Sequence, residues 1–118
     1  MKVAETQKLT KTYHFGDTEV QALREISLEI EEREFIAVWG PSGSGKSTLC
    51  NLIGLLDVPT SGEVMVAGQA SSGLTDSRRS DLRNSSIGFV FQNFNLIPVL
   101  TALENVMLPL QIKGVPKN

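Results

Sequence analysis

The stretch Gly40-Pro41-Ser42-Gly43-Ser44-Gly45-Lys46-Ser47-Thr48 limits what this chain can fold into more than any other part of it. It follows an uninterrupted apolar run, Phe35-Ile36-Ala37-Val38-Trp39, which predicts a strand buried on both faces, as in the centre of a parallel sheet. It opens onto Leu49, Leu52, Ile53 and Leu56, whose spacing marks one face of a helix running from Ser47 to Leu56. Strand, glycine loop and helix therefore follow in order. The run Gly40-x4-Gly45-Lys46-Ser47 fits the phosphate-loop pattern, and each residue type has a chemical reason for its place. Glycines let the main chain curl without side-chain obstruction, so that N–H groups from Gly43 to Thr48 converge on one anion. The helix adds its positive end. Lys46 is expected to set an ammonium against the β- and γ-phosphates of ATP. The Ser47 hydroxyl is expected to ligate Mg²⁺, which keeps waters and phosphate oxygens as its other ligands. Thr48 is placed to donate to an outer phosphate oxygen.

On either side of this unit the pattern changes. Leu23, Ile26, Leu28 and Ile30, with Ser27 and Glu29 interleaved, predict a half-buried strand over 20–30. A strand near 8–13 precedes it across the turn formers between His14 and Thr18, so the two are expected to pair antiparallel with one solvated face. Pro59-Thr60-Ser61-Gly62 reads as a turn, Glu63 to Ala67 as a short strand, and Gly68-Gln69 as the next turn. Asp76 to Asn84 is polar and predicts a short surface helix capped by Thr75 or Asp76. Ile87-Gly88-Phe89-Val90-Phe91 predicts a second buried strand leading into Gln92. Thr101-Ala102-Leu103-Glu104 has the form of a capping box opening a helix that stops near Pro109.

Length and composition restrict the function classes. The 118 residues suit one domain, and a formal charge of −2 offers no basic face for nucleic acid. No apolar run approaches the roughly 18 residues of a membrane span, and Met1 to Lys8 lacks the apolar core of a signal peptide, so the expected setting is the cytoplasm. The lone Cys50 is expected as a small core residue, and His14, beside a turn, as a solvated side chain. Glu104 reads as a helix cap rather than an acid catalyst.

A phosphate loop alone leaves kinases, GTPases and motor ATPases open. The surrounding segments narrow the class. Taken with Gly40 to Leu49, the segments Pro59-Thr60-Ser61-Gly62 and Phe89-Val90-Phe91-Gln92 resemble the pattern of ATP-binding cassette (ABC) transporter ATPases, in that family's order. Asn51 to Asp57, Ile87 to Gln92 and Leu103 to Leu110 are most similar to the branch serving lipoprotein release and macrolide export. The resemblance covers Leu9 to Pro116, with Trp39 and Cys50 standing where aliphatic residues are usual.

The resemblance implies an α/β fold, a P-loop NTPase core with an N-terminal antiparallel β subdomain, and an incomplete ABC ATPase domain over residues 1–118. It implies that Tyr13 stacks on adenine, a role Phe15 could share, and that Gln92 ligates Mg²⁺ and senses the γ-phosphate. Partners would be membrane permease subunits and a second ATPase subunit, placing the protein on the inner face of the membrane. The family's LSGGQ, Asp-Glu strand end and switch histidine do not occur in these 118 residues. Binding of ATP without hydrolysis is therefore expected of the chain alone, as are bare hydrophobic edges beside Phe35–Trp39 and Ile87–Phe91, hence poor solubility or marginal stability. A non-catalytic nucleotide-binding or interaction module is the alternative from another class. A different phosphate-loop enzyme, such as a small kinase, would need an acceptor site and an Arg-rich lid, and nothing after Gln92 supplies one.

Overall fold

A computed structural model describes residues 1–91 and 95–114. Strands β1 (Lys2–Phe15) and β2 (Thr18–Glu31) form a long hairpin closed at Gly16-Asp17, where Gly16 takes φ +61°. β3 (Ser61–Val66) joins the other edge of β1, and the short β4 (Gln69–Ala70) joins β3, so the sheet runs β2-β1-β3-β4 with every pairing antiparallel. The expected hairpin forms, and it extends well beyond 8–13 on the N-terminal side. Register places Leu9 opposite Ile26, Tyr13 opposite Val20 and Thr6 opposite Val64.

The ladder is irregular where β1, β2 and β3 meet. Lys8 and Glu25 hold positive φ, and the Lys8 amide donates to Ser27 Oγ at 2.9 Å instead of to a ladder carbonyl. Gly62, at φ +86°, fits against this bend because a Cβ there would lie 2.6 Å from the Gln7 carbonyl oxygen. Buried Thr6 is satisfied within the sheet, its hydroxyl donating to Ile26 O and accepting from Leu28 N, both at 3.0 Å.

One face of the sheet carries the core. Leu9, Leu23, Val64 and Val66 pack with Leu49 and Leu52 of α1 (Lys46–Ile53), with Leu55, and with Leu82 of α2 (Asp76–Ser86). Each fully buried aliphatic side chain contributes about 1.5–3 kcal/mol. Helix α1 ends three residues earlier than its periodicity predicts. Gly54 closes it, Leu55 at φ +60° turns inward to be buried, and Leu56 is left exposed, so Leu55 takes the core position expected of Leu56. Arg83 of α2 fixes this turn by donating to Leu55 O at 2.7 Å. Thr75 caps α2 as expected, accepting from Arg78 N at 3.2 Å.

The two apolar runs expected as buried parallel strands do not form strands. Residues 34–40 and 87–91 have no regular secondary structure, and Phe35, Trp39 and Val90 are 96%, 89% and 96% exposed. A strand exists only through a neighbour's hydrogen bonds, and neither segment has one among the described residues. Local contacts take over. Phe89 stacks on Phe91 at 4.7 Å and closes on Gly54, where a Cβ would lie 2.6 Å from the Phe89 ring.

Helix α3 (Ala102–Lys113) opens with the expected capping box, Thr101 Oγ1 accepting from Glu104 N at 3.1 Å while Glu104 Oε1 accepts from Thr101 N at 2.9 Å. It runs through Pro109 rather than stopping there. The proline removes one intrahelical bond, while the box at one end and Gly114 at φ +91° at the other hold the termini.

Candidate functional site

The glycine loop folds as its composition predicts. Ser44 N donates to Pro41 O at 3.2 Å in a tight bend, and Gly43 and Gly45 take φ +84° and +94°. Gly40 is also fitted to this bend, since a Cβ on it would lie 2.8 Å from Ser44 Oγ. Gly45 is the N-cap of α1 and lies against β2, where an added Cβ would meet the Ala22 carbonyl oxygen at 2.6 Å and Leu23 Cδ2 at 3.2 Å. The loop is thereby pressed onto the hairpin.

Leu49 N makes the first helical bond, to Gly45 O at 2.9 Å. The amides of Lys46, Ser47 and Thr48 precede it and have no acceptor among the described residues, because no helical turn precedes Gly45 to supply one. These free donors carry the positive end of the helix dipole. Lys46 Nζ folds back over the loop and donates to Gly40 O at 2.8 Å and Pro41 O at 3.1 Å. Ser47 and Ser42 are exposed and Thr48 is half-buried.

Across from the loop stands the closed end of the hairpin. A pocket of about 570 Å³ is bounded on one side by Tyr13, Phe15 and Val20, and on the other by Ser42, Lys46 and Thr48. Among the described residues no carboxylate lines it. The volume suits a ligand of nucleotide size, and the two walls offer an aromatic surface and a cluster of anion donors. Tyr13 stacks on Phe15 at 6.3 Å between centroids, its hydroxyl lies 3.4 Å from Asp57 Oδ2, and Lys11 Nζ stands 5.2 Å over its ring. A larger groove of about 960 Å³ lies elsewhere on the sheet, but Glu5, Glu25, Glu29 and Glu63 line it and would repel a polyanion.

The structure thus brings Tyr13 to the same pocket as Ser42, Gly43, Gly45, Lys46, Ser47 and Thr48, with Gly40, Pro41 and Ser44 supporting the bend behind them. Gln92 lies outside the described residues. Lys11 and Asp57 escaped sequence reasoning, because Lys11 looks like any strand lysine and Asp57 is 44 residues from the tyrosine it meets. Cys50 is exposed rather than in the core, since α1 turns its buried face through Leu49 and Leu52. His14 is solvated as expected, with Nδ1 3.4 Å from Glu19 Oε1. Among the described residues no group of His, Cys, Asp and Glu could hold a metal ion, and no helix is long and apolar enough to cross a membrane.

Comparison with known proteins identifies relatives of the chain and of its fold. Residues 23–117 match the family described as ABC transporter. The chain is 52% identical over 107 residues to the uncharacterized ABC transporter ATP-binding protein MJ0796 of Methanocaldococcus jannaschii, covering 91% of the chain and 46% of that protein. It is 50% identical over 114 residues to the lipoprotein-releasing system ATP-binding protein LolD of Geobacter metallireducens, covering 97% of the chain and 51% of the relative. It is 51% identical over 114 residues to the macrolide export ATP-binding/permease protein MacB of Syntrophobacter fumaroxidans, covering 97% of the chain and 16% of the relative. Solved structures of MJ0796, one dimeric and one a post-hydrolysis state bound to ADP and Pi, superpose with TM-scores of 0.92 at 49% identity, covering 98% of this chain and 50% of theirs. The chain spans about half the length of MJ0796 and LolD.

Proposed function

The chain belongs to the ABC transporter family, and from that premise we propose that it binds ATP with Mg²⁺ through the pocket between the glycine loop and the hairpin end. The observation that carries this reading is the set of unpartnered amides at Lys46, Ser47 and Thr48, placed beside the Lys46 ammonium and opposite Tyr13. In this reading Gly43 to Thr48 supply main-chain donors to the β-phosphate, and Lys46 pairs with the β- and γ-phosphates. Thr48 Oγ1 donates to an outer oxygen, and Gly40, Pro41, Ser42 and Ser44 hold the curl. Tyr13, with Phe15 beside it, offers the face on which adenine stacks. Ser47 is the Mg²⁺ ligand of the loop, and Gln92 its second ligand and γ-phosphate sensor. Bound Mg²⁺ would neutralise charge on the phosphate tail.

Residues 1–118 act in this proposal as the N-terminal part of one nucleotide-binding domain. The work done is to power a membrane permease in export or lipoprotein release, in the manner named for the LolD and MacB relatives, with a second ATPase subunit and a position on the inner face of the membrane. Among the described residues the pocket is lined by a cation, hydroxyls and amides but no carboxylate to polarise a water, and in this proposal the 118 residues by themselves bind ATP and release phosphate negligibly.

Titration calorimetry with ATP and Mg²⁺ tests the reading. Lys46→Ala removes a charge-assisted contact worth about 1.5–3 kcal/mol, so Kd should rise about 10- to 150-fold while the circular dichroism spectrum stays the same. Unchanged affinity in the variant would overturn the assignment.

A further inference from the structure

We infer that Asp57 is a positioning residue for the nucleobase platform, holding the Tyr13 ring through its hydroxyl and through Lys11. The inference rests on the proposed nucleotide site and deepens it. Tyr13 sits near the closed end of the hairpin, beyond the part of β1 that pairs with β3, a place where a lone aromatic ring would be free to rotate about its χ angles. The structure removes that freedom from two sides. Asp57, in the turn after α1, has Oδ2 3.4 Å from the Tyr13 hydroxyl and Oδ1 3.3 Å from Lys11 Nζ. Lys11 Nζ also donates to Val58 O at 2.6 Å and stands over the Tyr13 ring.

The clamp is shielded enough to matter. The Lys11 side chain is 14% exposed and that of Asp57 is 36% exposed, unlike the hairpin's other ion pairs, such as His14 with Glu19 at 63% and 69%. Asp57 is itself fixed, because its Oδ1 accepts from Val58 N at 2.8 Å, and the same turn is stitched to β1 by Thr12 N donating to Thr60 Oγ1 at 2.9 Å. The turn that terminates the loop's own helix therefore sets the angle of the ring across the pocket. A carboxylate also keeps Lys11 over one face of the ring, so a base must use the ring's remaining surface. Stacking depends on that orientation, because π-faces attract only when offset or edge-on geometries are met.

Calorimetry with two probes, ATP–Mg²⁺ and inorganic tripolyphosphate–Mg²⁺, separates this role from a structural one. Tripolyphosphate has the phosphate tail and no base. Asp57→Ala should weaken ATP about three- to tenfold, the scale of one or two hydrogen bonds, and leave tripolyphosphate unchanged. Asp57→Asn, which keeps an acceptor for the hydroxyl, should restore most of the ATP affinity. In a Tyr13→Phe background, where the hydroxyl is gone and the ring remains, Asp57→Ala should cost distinctly less than in the wild type. ATP affinity unmoved by Asp57→Ala, or equal losses for both probes, would overturn the inference. Failure of the nucleotide site itself reads differently: Lys46→Ala would then leave both probes unaffected, or the wild-type chain would bind neither, and the positioning role would fall with it.

Discussion

Replacing Gly45 by alanine should damage this protein in a way that replacing Gly43 does not. Both glycines hold φ near +90°, where an L-residue is strained by about 1–2 kcal/mol. They differ in what a methyl group would meet. At Gly43 nothing lies within 4 Å, so strain is the whole cost. At Gly45 the new Cβ would lie 2.6 Å from the Ala22 carbonyl oxygen and 3.2 Å from Leu23 Cδ2. The oxygen belongs to β2 main chain and cannot rotate away. Relief requires the loop to lift off the hairpin or the strand to bend, and overpacking of this kind costs about 1–3 kcal/mol more. Gly45→Ala should therefore lose about 2–5 kcal/mol and Gly43→Ala about 1–2 kcal/mol. At roughly 4 °C per kcal/mol for a chain of this size, thermal melts without nucleotide should fall by about 8–20 °C and about 4–8 °C. The difference between the variants isolates the collision with Ala22. If they melt together, the contact between loop and hairpin does not constrain the fold and the reasoning fails.

Two further outcomes follow from burial and hydrogen bonding. Leu52, 1% exposed, is one of the two side chains by which α1 is buried against the sheet, so Leu52→Ala should cost about 2–5 kcal/mol in urea unfolding, whereas Ile112→Ala on the exposed α3 should change the midpoint by less than about 0.5 kcal/mol. Burial pushes the Glu63 carboxyl up, but hydrogen bonds from Ser72, Ser71 and Val64 outweigh it and hold the group below its usual 4.5. The charged form is thus favoured in the folded state. Its contribution is present above 4.5 and is lost as pH falls through the lower folded value. The melting gap between wild type and Glu63→Gln should therefore close on acidification from about pH 6 to about pH 3, and a constant gap would contradict the assignment.

What could be read from the sequence was what short-range chemistry decides. The curl of Gly40 to Gly45, the Thr75 cap and the Thr101–Glu104 box each depend on residues a few positions apart, and each appears as expected. The β1–β2 hairpin was legible because its turn formers and alternating apolar residues point the same way. Phe35–Trp39 and Ile87–Phe91 read as strands and are not, because an apolar run states a need for burial without supplying the neighbour that meets it. Leu55 replaced Leu56 in the core because one residue of positive φ after Gly54 shifts the inward direction, and no periodicity records that. The glycine-loop lysine, Lys46, could be named from spacing, but the Lys11–Asp57 clamp on Tyr13 could not. Its members meet only because the turn after α1 returns to β1.

The Lys46 ammonium already has company, two carbonyl oxygens of its own loop at 2.8 and 3.1 Å. In the proposed function an incoming phosphate must displace these neutral acceptors, and it does so with formal negative charge. A weakly charged anion gains little from that swap, while a polyphosphate gains at every oxygen it presents. Under the proposed function, these two carbonyls set a threshold that favours a tail of several charges over a lone anion.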